Sequence, residues 1–141
     1  MKKKILITGS NGFLGNLAKE YFMQNYELVF VDLSSSNDAN FYKVDIGNFS
    51  EIDDVISKEK PNIIFHFASE IFDTHNKKKI YKTNVEGSSN IKKSAIKNNI
   101  ENLIFTSTFS LYEKNYDYLI SESEPISCKN YYGITKSTVE T

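Results

Sequence analysis

A chain of 141 residues, 40% apolar and 25% charged, has the size and make-up of one globular domain with a core of its own. Its net charge of −1 excludes a protein drawn to nucleic acid or to an anionic membrane by electrostatics, and no apolar run is long enough for a membrane helix or a signal peptide. The single cysteine, Cys128, excludes an internal disulfide and a cysteine metal cluster, which suits a reducing cytoplasm.

Short apolar runs alternate with helically spaced ones, the mark of βαβ units and a parallel sheet. The first strand is expected over 3–8, around "KILIT". From Gly12 a helix follows, with Phe13, Leu14, Leu17, Ala18, Tyr21 and Phe22 at helical spacing. "LVFVD" (28–32) reads as the second strand and "FYKVD" (41–45) as a short third. A helix opening at Ser50, with Asp53 three residues on, carries Ile52, Val55 and Ile56 and stops at Pro61. "NIIFHFA" (62–68) is the fourth strand, His75 falls in a solvated turn, and 76–98 form one long helix with Ile80, Asn84, Ser88, Ile91 and Ala95 inward. "NLIFTST" (102–108) is the fifth strand, 113–130 are polar and aperiodic, and a helix starts near Tyr131. Right-handed crossovers give the order 3-2-1-4-5, an α/β sheet with helices on both faces. A ligand then sits at the carboxyl ends of the strands, where the order reverses between the first and fourth.

"TGSNGFLG" sets Gly9, Gly12 and Gly15 between that strand and its helix. Gly9 permits a tight turn, Gly12 lets backbone approach a pyrophosphate, and Gly15 lets helix and strand pack closely. The helix amino terminus offers free N–H groups to phosphate. The spacing is one residue wider than the commonest dinucleotide fingerprint. A flexible turn would also use three glycines, but Asp32, 17 residues after Gly15 at the end of the second strand, argues for a cofactor loop. An aspartate there accepts hydrogen bonds from the adenosine ribose and repels a 2′-phosphate, so NAD is expected over NADP. Asp45 and Ile46 would flank the adenine; an ordinary turn at a strand end would look the same. All 17 basic residues are lysine, so backbone amides and lysine must hold any diphosphate, unless residues outside this chain do.

With these motifs in order, the chain resembles the extended short-chain dehydrogenase/reductase family, the NAD-dependent epimerases and dehydratases of nucleotide sugars. "TGSNGFLG", with Asn11, Phe13 and Leu14 beside the glycines, resembles its cofactor loop, and "VDI" its adenine-side aspartate. "HFAS", with Phe67, Ala68 and Ser69, is similar to the motif closing the fourth strand. "TNVEGSSNI" resembles the helix segment carrying the asparagine that Asn84 matches, "FTSTFSLY" the end of the fifth strand, and "YYGITKSTVE" the catalytic helix. The resemblance implies a Rossmann-type NAD-binding domain over 1–141, with NAD as cofactor, a nucleotide sugar as substrate, and a homodimer as an allowed assembly.

It also implies roles. Tyr132 would be the general acid/base and Lys136, one helical turn on, would supply positive charge and hold the nicotinamide ribose. Thr108 would hydrogen-bond the reacting hydroxyl, and Asn84 would organise structure. Nine tyrosines and 17 lysines give a lysine four places after a tyrosine about once by chance, so this pair gains its meaning from the motifs upstream. Tyr131 has Thr135 four residues on, Tyr112 is expected to pack, and His66 to be a satisfied core histidine. Phe109 and Ser110 stand where the dehydratases carry an Asp-Glu pair, which points to an epimerase or reductase. Glu113 and Asn130 stand where the family often has glycine and proline. The chain is expected to lack the family's carboxyl-terminal half, so that by itself it binds cofactor poorly and turns over no sugar. A non-catalytic NAD-binding module and an inactive shortened member are the alternative readings.

Overall fold

A computed structural model describes residues 2–71, 76–113 and 117–140; His75 lies outside them. Strands β1 (Lys4–Thr8), β2 (Glu27–Asp32), β3 (Phe41–Lys43), β4 (Ile63–His66) and β5 (Asn102–Phe105) form one sheet in the order β3-β2-β1-β4-β5, parallel throughout. This is the expected order, and the reversal falls between β1 and β4. Leu6 stands beside Val29 on one side and Ile64 on the other. All three are wholly buried, because strands covered on both faces read as unbroken apolar runs.

The strands stop sooner than their apolar runs, at Lys43, His66 and Phe105. Each loses its neighbour there. β2 ends at Asp32, opposite Lys43, and β1 ends at Thr8, opposite His66. Beyond that point Phe67 N–H bonds Thr8 O at 3.1 Å and the chain leaves the sheet.

Helix α1 (Phe13–Phe22) lies on one face, over Ile5, Ile7, Leu28 and Phe30. Helices α2 (Phe49–Glu59) and α4 (Ser88–Lys97) cover the other, where Ile52, Val55, Ile56, Ile91 and Ala95 close over Leu6, Val29, Val31 and Ile64. The expected start of α2 at Ser50 moves to Phe49. Asn48 stands at the cap, and its Nδ2 donates to Glu51 Oε1 at 2.7 Å. The carboxylate of Asp53 faces α4 instead of the helix start. It accepts from Ser94 Oγ at 2.7 Å and Lys97 Nζ at 2.5 Å, and that lysine holds it below the usual carboxylate range.

The helix expected over 76–98 is three pieces: α3 (Lys77–Tyr81), a π turn (Lys82–Gly87) and α4. A π turn widens the backbone ring by one residue and recurs at functional sites. Asn84 sits inside it, buried. His66 is the core histidine the sequence suggests. Its ring nitrogens pair with Thr8 Oγ1 at 2.6 Å and Ser88 Oγ at 2.8 Å. Burial, with a smaller push from Lys136, lowers its pKa to about 3, so it is neutral.

Candidate dinucleotide and proton-transfer site

The glycine loop is shaped by contacts that only glycine allows. Gly9 has φ +68°, and a Cβ there would lie 2.6 Å from Ala68 N. A Cβ on Gly15 would lie 2.3 Å from Gly9 O, so α1 starts hard against the turn that precedes it. Gly12 caps α1 and has no side chain to bond the helix's first amides. Those amides and the positive end of the helix dipole are left for a ligand.

A cavity of about 380 Å³ opens above this loop at the carboxyl ends of β1, β2 and β4. Gly9, Asn11 and Gly12 form its floor, and Phe67, Ala68 and Ser69 form one wall. Asp32, Asp45 and Ile46 stand on the opposite side. Asp32 is held in place. Its Oδ2 accepts from Asn11 N–H at 3.0 Å and its Oδ1 from Ser34 N–H at 2.9 Å and Ser34 Oγ at 2.8 Å. Asn11 Nδ2 closes the ring by donating to Ser34 Oγ at 2.9 Å. Asp45 is engaged by Lys82 Nζ at 2.6 Å and Gly47 N–H at 2.8 Å, and the Lys82 ammonium holds its carboxyl below the usual carboxylate range. A turn that only glycine can make, an uncapped helix, a fixed carboxylate and an apolar slot together fit a dinucleotide. Phe13 and Leu14 do not line the cavity: Phe13 points to solvent and Leu14 lies in a groove on the outer side of α1.

Helix α5 (Tyr131–Glu140) carries the second half of the site. The two departures from the family pattern build its start. Asn130 Oδ1 accepts from Gly133 N–H at 2.7 Å, a side-chain cap. Glu113 Oε2 accepts from the N–H groups of Lys129 at 2.6 Å and Asn130 at 3.0 Å, which ties the far end of the polar loop to α5. Gly133 then lets α5 rest on the 3₁₀ turn Phe109–Leu111, since a Cβ there would lie 2.6 Å from Ser110 O. Thr108 begins that turn, and its Oγ1 accepts from Ser110 N–H at 3.2 Å.

Lys136 is 2% exposed, and no ion pair among the described residues includes it. Its Nζ lies 4.2 Å from the centre of the Phe105 ring and 6.0 Å from that of Tyr132. Burial lowers its pKa to about 8, against a weaker pull upward from Glu140. Tyr132 is half-buried beside it. Asn84 and Lys136 lie outside the cavity lining, and Asn84 joins the cavity wall to α5 by hydrogen bonds. Tyr131 instead meets Lys77, whose Nζ lies 5.3 Å from its ring centre, and Tyr112 packs on Phe109.

Residues 5–141 match the model of the NAD dependent epimerase/dehydratase family. The chain belongs to this family. The UDP-glucose 4-epimerase of Halalkalibacterium halodurans is 26% identical over 96% of this chain and 44% of its own length. Protein CapI of Staphylococcus aureus is 30% identical over 97% of this chain and 47% of its own. The Bordetella bronchiseptica enzyme WbmG, solved in complex with NAD and UDP, superposes with a TM-score of 0.91 at 25% identity, over 99% of this chain and 48% of that one. The chain thus spans about half the length of the relatives it matches. The epimerase/dehydratase family is NAD-dependent, and this portion of it is the Rossmann-type sheet.

Set against this family, the cavity holds residues that the sequence reading passed over. Val31, Leu33, Ser34, Val44, Glu70, Lys79 and Thr83 also line it. Ser34 had a local signal, since an aspartate two residues before a serine often bonds its backbone and hydroxyl. Lys79 and Thr83 share a helix face at i, i+4. Glu70 reaches Lys79 Nζ at 2.6 Å, a pairing no local pattern announces. Among the described residues no cluster could hold a metal ion, and no helix is long and apolar enough to cross a membrane.

Proposed function

We propose that this chain supplies the NAD-binding and proton-transfer half of an enzyme that epimerises or reduces a sugar carbon of a nucleotide sugar. One observation carries the reading. A buried amine in no ion pair among the described residues lies one helical turn from a half-buried phenol, at the end of the sheet that holds the glycine loop and Asp32. Bound NAD would accept a hydride from the sugar carbon and return it. The phenol oxygen of Tyr132 would take the proton of the reacting hydroxyl, and Thr108 would accept or donate a hydrogen bond at that hydroxyl. Lys136 would stabilise the phenolate and hold the nicotinamide ribose. Phe109 and Ser110 offer neither acid nor base for removing water, which favours epimerisation or reduction over dehydration.

A second reading is an NAD-binding module without turnover, which the place of Lys136 outside the cavity lining favours. One experiment separates the readings. NAD and NADP are titrated in parallel by calorimetry, and hydride transfer is assayed with a panel of UDP-sugars. NAD should bind at least about tenfold tighter, from the charge of Asp32 against a 2′-phosphate, and Asp32→Ala should narrow the gap. Equal or tighter NADP binding refutes the cofactor assignment. Turnover abolished by Tyr132→Phe excludes the module, and a product that has lost water refutes the reaction type.

A further inference from the structure

Thr135 lies between Tyr132 and Lys136 in the chain, where a threonine on a helix flank is ordinarily solvated. It is 2% exposed. Its Oγ1 donates to Tyr132 O at 2.7 Å, the bond a helical threonine makes to the preceding turn. A hydroxyl has one proton, so toward Asn84 it can only accept, and it does so from Asn84 Nδ2 at 3.1 Å.

Asn84 has no further capacity. Its other N–H bond goes to Glu70 O at 3.0 Å, and its Oδ1 accepts from Glu70 N–H at 2.8 Å and Ser69 Oγ at 3.1 Å. An amide offers two donors and two lone pairs, and all four are committed. The bonds therefore run in a fixed direction from the cavity wall at Ser69 and Glu70, through Asn84 in the π turn, to Thr135 and the carbonyl of Tyr132. That carbonyl is also the one the Lys136 amide meets in an α-helix. Asn84 and Thr135 are buried, so a bond lost between them cannot be replaced by water.

We infer that Thr135 is a positioning residue: its hydroxyl fixes the height and rotation of α5 against the cavity wall, so that Lys136 reaches the nicotinamide end of a bound dinucleotide. The inference rests on the reading of α5 given under Proposed function. Valine keeps the shape of threonine and removes both hydrogen bonds, leaving one Asn84 N–H unpaired. Serine keeps the hydroxyl and loses only a methyl group.

Binding of NAD and of ADP to the 141-residue chain, followed by NMR titration, tests it, because ADP fills the adenosine and diphosphate part and never meets α5. The wild-type chain should prefer NAD to ADP. Thr135→Val should reduce that preference by about tenfold and leave ADP affinity unchanged, as one buried donor left unpaired at Asn84 implies. Thr135→Ser should restore it. A merely structural threonine would weaken both ligands together. An unchanged preference in a folded Thr135→Val, or a serine variant that behaves like valine, overturns the inference and leaves the proposed function standing. Thr135→Ala, which relieves any crowding, takes the place of valine if circular dichroism shows that variant unfolded. A wild-type chain with no preference for NAD over ADP overturns the reading of α5 itself, and the inference with it.

Discussion

The two faces of the sheet are covered unequally. On one, α2 and α4 lock onto the strands, and the π turn and α5 add to them near the carboxyl ends. Leu6, Val29, Val31, Ile52, Ile56, Ile64 and Ile91 are closed off there to within 0% exposure. On the other, α1 is the one helix packed on the strands among the described residues. Ala18 and Gly15 bury its inner side, while Leu14, Leu17 and Tyr21 stay exposed along a groove shared with Phe67. Ile104 of β5, in register with Phe65, is also exposed. Apolar residues at the right spacing therefore do not earn burial; a partner does. The α2/α4 face carries the larger buried cluster, and the α1 face carries a smaller one, Ile5, Ile7, Ala18, Leu28 and Phe30, beside the glycine loop.

Mutation would break or sharpen this contrast. Ile56→Ala, on the filled face, should lower unfolding stability by about 3 kcal/mol through lost apolar burial and the cavity it leaves, measured by urea denaturation. Acid should also strike this face. The folded pKa of His66 is about 3 and its unfolded value about 6.5, so the unfolded chain binds a proton that the folded chain refuses. The stability is complete above pH 6.5 and is lost as pH falls toward 3, at about 1.4 kcal/mol per unit. Melts between pH 6.5 and 5 would show it before the carboxylates titrate, and a flat profile there would contradict the neutral, buried ring. Leu17→Ala, on the open face, should change stability by less than about 0.5 kcal/mol. A loss as large as that of Ile56→Ala would mean the groove is filled in solution.

The strand order was readable because buried parallel strands are short unbroken apolar runs between helical ones. Their ends were not, since Val44, Phe67 and Thr106 continue the β pattern after the neighbouring strand has stopped. The π turn was hidden for a sharper reason. Ile80, Asn84, Ser88, Ile91 and Ala95 recur every three or four residues, the period of a regular helix, and a change in hydrogen bonding leaves that spacing untouched. In the cavity, Asp32, Asp45 and the glycine loop announce themselves by position after a strand. Lys79 does not, being one of 17 lysines on a helix that reads as surface. Thr135 was seen only as the residue four places after Tyr131, because its role depends on Asn84, 51 residues away.

The π turn also makes the number of residues between Ile80 and Ser88 a fixed inheritance. A π turn takes one residue more than an α turn, so removing one between 82 and 87 would close the wider ring and shift Asn84 against Ser88. Asn84 would keep its loop only if Ser88 left His66, or the reverse. Side chains on the outer surface of this segment can be exchanged freely, but the gain or loss of a single residue within it would strand one of the two.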